Sequence, residues 1–108
     1  FLPEAAAHWA AEGITFDAVY TGYLGSVELV ARTEAIVDSV MASGGKFIMD
    51  PAMADHGKLY SGFDQAYVDA MKRLCAKADV LLPNLTEAAL MAMASFSRCS
   101  SVRPFSAP

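Results

Sequence analysis

Apolar residues recur at helical spacing in four segments, and this pattern predicts four helices. They cover residues from about 4 to 12, 26 to about 43, 63 to 76, and a segment that includes Glu87 and reaches about residue 94. Glycines follow the first two segments, as is common at helix ends. Ser26 is the first residue of the second segment and a plausible N-cap, which makes that helix the clearest of the four.

Short apolar runs between these segments predict three strands, at residues 17–21, 46–50 and 80–82. Pro51 ends the second run because proline cannot donate to a strand ladder. The polar segment after it, rich in small residues, is interpreted as a loop. Strands that alternate with helices favour an α/β layer architecture in which parallel strands are joined by right-handed crossovers.

Composition and charge narrow the class of protein. The 108 residues suffice for one domain, and 55% hydrophobic with 19% charged residues argues against disorder. No apolar run approaches the roughly 18 residues of a membrane span. The net charge of −4 comes without a basic run, so we expect neither a nucleic-acid nor a membrane partner. The first residues lack the features of a secretory signal, which makes the cytoplasm the default location.

Candidate chemistry lies in the three loops that follow the predicted strands, at residues 21–26, 50–55 and 83–87. The carboxyl ends of parallel strands share one edge of a sheet, so these loops are expected to project towards one crevice. They supply three carboxylates, an amide, three hydroxyls and a phenol. This inventory suits a nucleotide with magnesium, which prefers oxygen ligands and keeps several waters.

Each acidic candidate also has a structural interpretation. Asp50, between a strand and a proline, is equally typical of a turn former, and Asp55 of a solvated loop residue. Asn84 and Glu87 have the spacing of an N-cap and its N3 partner, a capping-box variant that needs no catalytic role. The two roles are compatible, because a helix N-terminus also attracts phosphate.

The motifs alone indicate no more than an α/β domain with an anion site. Tyr23 and Tyr60 could be ordinary surface aromatics. Neither the GxxxxGK[ST] phosphate loop nor the GxGxxG dinucleotide fingerprint occurs in the sequence.

Three blocks together are more specific. FDAVYTGYLGS at 16–26, DPAMADHGKLY at 50–60 and ADVLLPNLTEA at 78–88 resemble the pyridoxal kinase family in order and spacing. The resemblance implies a three-layer, ribokinase-like α/β fold with a mostly parallel sheet. Residues 1–94 correspond to the middle part of such a kinase domain. Residues 95–108 are interpreted as an irregular tail without a counterpart in the family.

The resemblance also implies a function. The implied reaction is the ATP- and Mg²⁺-dependent phosphorylation of the 5′-hydroxyl of pyridoxal, pyridoxine or pyridoxamine, in the salvage of pyridoxal 5′-phosphate. The resemblance also implies that the full-length enzyme is a homodimer. The residues it assigns to ATP are Asp50, Tyr60, Leu82, Asn84 and Glu87. Those assigned to the metal are Asp50, Asp55 and Glu87, and Tyr23 is assigned to the substrate.

The sequence departs from the family pattern in two ways. The family usually has Val and Gly where this chain has Ala52 and Ala54, and an alanine would restrict the loop if its position required a positive φ. The family's Gly-x-Gly-Asp element, whose aspartate takes the hydroxyl proton, has no match. No catalytic residue is therefore assigned to this chain, and we expect no turnover from it alone.

Two alternatives stay open. Hydroxymethylpyrimidine phosphate kinases of thiamin synthesis share the DPxM and PNxxEA elements, but usually have a Lys-Thr-Gly-Met-Leu-like stretch where this chain has Tyr20-Thr-Gly-Tyr-Leu24. The other alternative is a noncatalytic fragment that binds nucleotide weakly or not at all.

Overall fold

The computed structural model describes residues 2–92, so the predicted irregular tail at 95–108 lies outside the described residues. Helices alternate with strands along this part of the chain. In order they are α1 (Leu2–Ala11), β1 (Phe16–Thr21), α2 (Val27–Val40), β2 (Met41–Met49), β3 (Ala54–Asp55), β4 (Lys58–Leu59), α3 (Gln65–Cys75), β5 (Val80–Leu81) and α4 (Leu85–Ala92). None of these helices is long and apolar enough to cross a membrane.

The main sheet contains three parallel strands in the order β1-β2-β5. Tyr20 of β1 pairs with Ile48 of β2, and Ile48 pairs in turn with Val80 of β5. The predicted α/β class with a parallel sheet is thus confirmed, and the three predicted strands are the three strands of this sheet. Their carboxyl ends lie at one edge, as the site prediction requires.

The core lies between this sheet and helices α2 and α3. In β2, Phe47 and Met49 are buried at alternate positions, as expected for side chains that point to one face of a strand. They join the apolar faces of the two helices in one cluster. Its members on these elements are Val30 and Val37 of α2, Tyr67, Val68, Ala70, Met71, Leu74 and Cys75 of α3, and Leu81 of β5. This rigid base supports the loops that follow the strands.

The row of side chains formed by Tyr20, Ile48 and Val80 crosses all three strands on the other face of the sheet. Tyr20 is 59% and Val80 37% exposed. This face of the sheet is therefore much less covered than the face towards α2 and α3.

Helix α2 is shorter than the sequence predicts. Ser26 is its N-cap, as expected, and its side chain accepts a hydrogen bond from the Leu29 amide. The predicted end near residue 43 is wrong, because Met41 already adopts an extended conformation. Met41 pairs with Phe16 of β1, so β2 begins directly after the last residue of α2. The register shifts between Phe16 and Ala18, which accommodates the extra residues of β2.

The loop predicted after β2 contains a small antiparallel hairpin, β3–β4, which the sequence analysis missed. Its two-residue turn is His56-Gly57, and both residues have positive φ, 50° and 79°. This is the backbone that tight hairpin turns require, and glycine at its second position is favoured. Among the described residues other than glycine, only His56 has a positive φ. Ala54 therefore does not need the conformational freedom of the glycine that is usual in the family.

Candidate functional site

A cleft lies where strands β2 and β5 end and helix α4 begins. Its volume is about 230 Å³. All five residues that the family resemblance assigned to ATP line it, together with Ala52: Asp50, Tyr60, Leu82, Asn84 and Glu87. The structure thus brings together side chains that are up to 37 positions apart in the sequence.

Asp50 is placed in the cleft by the backbone that continues from β2. Its amide donates to the carbonyl of Thr21 at 2.8 Å, which extends the pairing of β1 and β2 by one residue. Its own carbonyl accepts a hydrogen bond from the Ala52 amide at 2.8 Å. The Tyr20 hydroxyl makes a long contact of 3.4 Å with Oδ2 of Asp50. The half-exposed carboxylate is therefore accessible to a ligand.

Asn84 and Glu87 form the capping box that was one of the two interpretations of their spacing. The Glu87 amide donates to Oδ1 of Asn84 at 2.8 Å, and the Asn84 amide donates to Oε1 of Glu87 at 3.0 Å. The pair thus satisfies two amides at the start of α4 that have no partner inside the helix.

The same two side chains also hold the loop that follows β2. Oε2 of Glu87 accepts hydrogen bonds from the amides of Met53 at 2.9 Å and Ala54 at 3.3 Å. Nδ2 of Asn84 donates to the Ala54 carbonyl at 2.7 Å. Glu87 is only 2% exposed, and three of the roughly four acceptor positions of its carboxylate are occupied by backbone amides. Its main role in this structure is to fix two backbone segments.

Tyr60 and Leu82 also line the cleft. The Tyr60 amide donates to the Met53 carbonyl at 2.8 Å, beyond the end of the hairpin, and the Leu82 amide donates to the Met49 carbonyl at 3.0 Å. Partial burial raises the pKa of the Tyr60 phenol, and the negative charges of Glu87, Asp55 and Asp50 raise it further. The phenol therefore remains a hydrogen-bond donor at neutral pH.

Two of the predicted site residues lie outside the lining of this cleft. Asp55 is exposed at the hairpin turn, where Oδ1 accepts a hydrogen bond from the His56 amide at 2.8 Å. Tyr23 is 66% exposed in the loop after β1. Within residues 2–92, no three His, Cys, Asp or Glu side chains form a group that could hold a metal ion. The trio assigned to the metal is therefore not a preformed protein cage.

Tyr23 belongs to an aromatic stack that the sequence analysis did not predict. Its ring stacks on Phe63 at a centroid distance of 5.7 Å, and Phe63 stacks on Tyr67 at 3.9 Å. The Tyr67 hydroxyl accepts a hydrogen bond from the Gly25 amide at 3.1 Å. Phe63 and Tyr67 were recognised only as apolar positions of one helix. The stacking of Phe63 on Tyr23 joins residues 40 positions apart, so no local pattern signals it.

The chemistry of the cleft fits a magnesium nucleotide in part. Magnesium keeps several waters and commonly takes one or two protein carboxylates together with phosphate oxygens, so a complete protein cage is not required. Asp50 offers an accessible carboxylate, and Glu87 retains about one acceptor position. The start of α4 adds the partial positive charge of a helix N-terminus.

Comparison with known proteins identifies related kinases. The model of a family described as phosphomethylpyrimidine kinase matches residues 4–105. Among curated proteins there is no match.

Solved structures give a consistent result. A candidate phosphomethylpyrimidine kinase from Bacteroides thetaiotaomicron is 37% identical with a TM-score of 0.81, over 83% of this chain and 31% of that one. Pyridoxal kinase from Lactobacillus plantarum is 44% identical with a TM-score of 0.77, over 84% of this chain and 32% of that one. Pyridoxal kinase from Leishmania donovani, in complex with ADP and pyridoxamine, is 25% identical with a TM-score of 0.67, over 88% of this chain and 34% of that one. The chain spans about a third of each of these proteins.

Proposed function

Because the chain belongs to the phosphomethylpyrimidine kinase family, we propose that it forms the magnesium-nucleotide part of a kinase that phosphorylates the 5′-hydroxyl of pyridoxal, pyridoxine or pyridoxamine with ATP. One observation carries the proposal. Five residues assigned to ATP from separate sequence blocks line one cleft at the carboxyl ends of parallel strands. This is where open α/β sheets bind ligands.

The choice of a B6 vitamer as substrate is supported by the relatives. The chain is 44% identical to the pyridoxal kinase of Lactobacillus plantarum, and a second crystal form of the Bacteroides thetaiotaomicron protein was solved with pyridoxal. The description of the matching family favours a second candidate, the phosphorylation of hydroxymethylpyrimidine or its phosphate. Both candidates use the same nucleotide chemistry and differ in the ring that is recognised.

The roles of the residues follow from their contacts. Asp50 would hold magnesium through water or directly, since its carboxylate is accessible in the cleft. Glu87 would contribute at most one position to the metal shell and mainly fix the loop around Met53 and Ala54. Tyr60 would donate a hydrogen bond from its phenol to a phosphate oxygen. When bound, magnesium would neutralise charge on the phosphates, which is a major requirement of phosphoryl transfer.

Calorimetric titration of the chain with MgADP and MgATP tests nucleotide binding. We expect a saturable heat for the wild type, and affinity at least about tenfold weaker for Asp50→Asn, because a charge-assisted contact contributes roughly 1.5–3 kcal/mol. Asp38→Asn is the matched control, since Asp38 is exposed and pairs with Lys77 on the surface. Absence of saturable heat in the wild type would support the noncatalytic fragment instead.

Titration with pyridoxine and with hydroxymethylpyrimidine, each in the presence of saturating MgADP, distinguishes the two substrate candidates. Pyridoxine is preferable to pyridoxal because it lacks the aldehyde that reacts with lysine side chains. The proposal predicts a saturable signal with pyridoxine only. A signal with hydroxymethylpyrimidine only would favour the second candidate.

Three predictions from the sequence accompany this proposal. They are a homodimeric assembly of the full-length kinase, location in the cytoplasm and independence from nucleic acid and membrane. The oligomeric state can be measured by sedimentation of the full-length protein.

A further inference from the structure

Thr86 makes a contact that neither the sequence analysis nor the proposed function explains. It is the second residue of α4, and its Oγ1 accepts a hydrogen bond from the Gly57 amide at 2.9 Å. Gly57 is in the turn of the β3–β4 hairpin, 29 positions away in the sequence. The first turn of α4 therefore contacts the turn of the hairpin as well as its base.

The contacts at the two ends of the hairpin are complementary. Glu87 and Asn84 hold the amides and the carbonyl where the hairpin begins, at Met53 and Ala54. Thr86 holds the opposite end, at Gly57. Next to the base of the hairpin, the amide of Tyr60, which follows β4, donates a hydrogen bond to the carbonyl of Met53, which precedes β3. A two-stranded hairpin is at best marginally stable by itself, so its orientation depends on such external contacts.

Tyr60 is the connection between this hairpin and the cleft. It directly follows β4, lines the cleft and lies within electrostatic range of Asp50, Asp55 and Glu87. If the hairpin turn moves away from α4, the segment carrying Tyr60 loses its fixed position at the cleft.

We propose that Thr86 is a positioning residue of the nucleotide site, which fixes the β3–β4 hairpin against α4 and thereby holds Tyr60 at the cleft. This inference rests on the proposed nucleotide binding. Thr86 acts through the hairpin and need not touch the ligand. The hydroxyl oxygen is the essential atom, because it is the acceptor for the Gly57 amide.

The test compares Thr86→Val with Thr86→Ser. Valine has nearly the same shape as threonine but no hydroxyl, whereas serine keeps the acceptor. Thr15→Val makes the same chemical change at an exposed residue before β1 and serves as the control. Amide hydrogen exchange in the ligand-free chain measures the hairpin contact, and calorimetric titration with MgADP measures its effect on the site.

We expect Thr86→Val to accelerate exchange at Gly57 and to weaken MgADP binding, each by about 3- to 10-fold, the effect of one hydrogen bond. Thr86→Ser should restore both to within about twofold of the wild type, and Thr15→Val should change neither. Faster exchange at Gly57 with unchanged MgADP affinity would overturn the positioning role, and so would equal losses in the valine and serine variants.

The two readouts separate this inference from the proposed function. If the wild type does not bind MgADP, the proposed function fails, and the role of Thr86 at the nucleotide site fails with it. Exchange at Gly57 in the ligand-free chain then still decides whether Thr86 holds the hairpin. Fast exchange at Gly57 in a wild type that binds MgADP would overturn the inference alone.

Discussion

The two loop regions at the carboxyl edge of the sheet are held in different ways. Near the cleft, Asn84, Thr86 and Glu87 fix the backbone of the hairpin segment through directional hydrogen bonds. Near Tyr23, the loop after β1 rests on a stack of aromatic rings, and the Gly25 amide donates a hydrogen bond to the Tyr67 hydroxyl.

The two regions differ in how much their stability depends on single atoms. A buried hydrogen bond leaves an unsatisfied partner when one atom is removed, whereas a ring contact loses energy in proportion to the area lost. We therefore expect the polar region to lose stability when a single hydrogen-bonding side chain is removed, and the aromatic region to tolerate substitutions that keep most of the apolar volume. The following substitutions test this contrast by measuring the free energy of unfolding in denaturant.

Glu87→Ala should have the largest effect. It leaves the buried amides of Met53 and Ala54 without their acceptor, at about 1–3 kcal/mol each, and we expect a loss of roughly 3–5 kcal/mol. Glu28→Ala is the matched control, since Glu28 is also an acidic residue in the first turn of a helix but pairs with Arg32 on the surface. Its loss should stay below about 1 kcal/mol. Similar losses in both variants would contradict the role of Glu87 in fixing the loop.

Phe63→Ala should have the second-largest effect, a loss of about 2–3 kcal/mol in the free energy of unfolding. This is less than the 3–5 kcal/mol of a fully buried phenylalanine because Phe63 is only partly buried. Phe63→Leu keeps most of the apolar volume and should lose only about 1 kcal/mol. A leucine variant as unstable as the alanine variant would show that the ring geometry, and not the buried area, stabilises this region.

Asn84→Ala should cost about 2 kcal/mol. It removes a helix cap, usually about 1 kcal/mol, and the additional hydrogen bond to the Ala54 carbonyl. Ser26→Ala removes only the cap of α2 and should cost about 1 kcal/mol. Equal losses would mean that the contact of Asn84 with the loop contributes nothing.

Tyr67→Phe should have the smallest effect, about 1 kcal/mol at neutral pH, from the lost contact with the Gly25 amide. Burial raises the pKa of the Tyr67 phenol in the folded chain above its ordinary value of 10.0. The stabilisation by neutral Tyr67 is therefore complete below pH 10 and is lost as the pH rises through the raised pKa. The advantage of the wild type over Tyr67→Phe should shrink above pH 10, and an advantage that grows there would contradict this assignment.

The elements that were predictable from the sequence are those with a local signal. The strands, Ser26 as a cap and the Asn84–Glu87 capping box follow from spacing within a few residues, and the parallel sheet follows from the alternation of strands with helices along the chain. The convergence of Asp50, Tyr60 and Leu82 was predictable for two reasons together. Their segments follow parallel strands, and the three sequence blocks resemble those of one family.

The features that were missed depend on contacts across the fold. The end of α2 is decided by the pairing of Met41 with Phe16, which is absent from any local window. The hairpin strands have two residues each and no alternating pattern, so the sequence does not predict them. The local signal of the turn is Gly57. Thr86 contacts a residue 29 positions away, and its hydroxyl is unremarkable in a helix N-terminus. The separation of Asp55 from the cleft follows from that hairpin.

The central claim is that the cleft between β2, β5 and α4 binds magnesium nucleotide. Titration of the isotope-labelled chain with MgADP, followed through its amide resonances, tests it directly. We expect saturable shifts at Ala52, Leu82 and Asn84, with little change at Ala6 and Ala10 in the groove between α1 and α2. Saturable shifts at Ala6 and Ala10 without shifts around the cleft, or no saturable shifts at all, would contradict it.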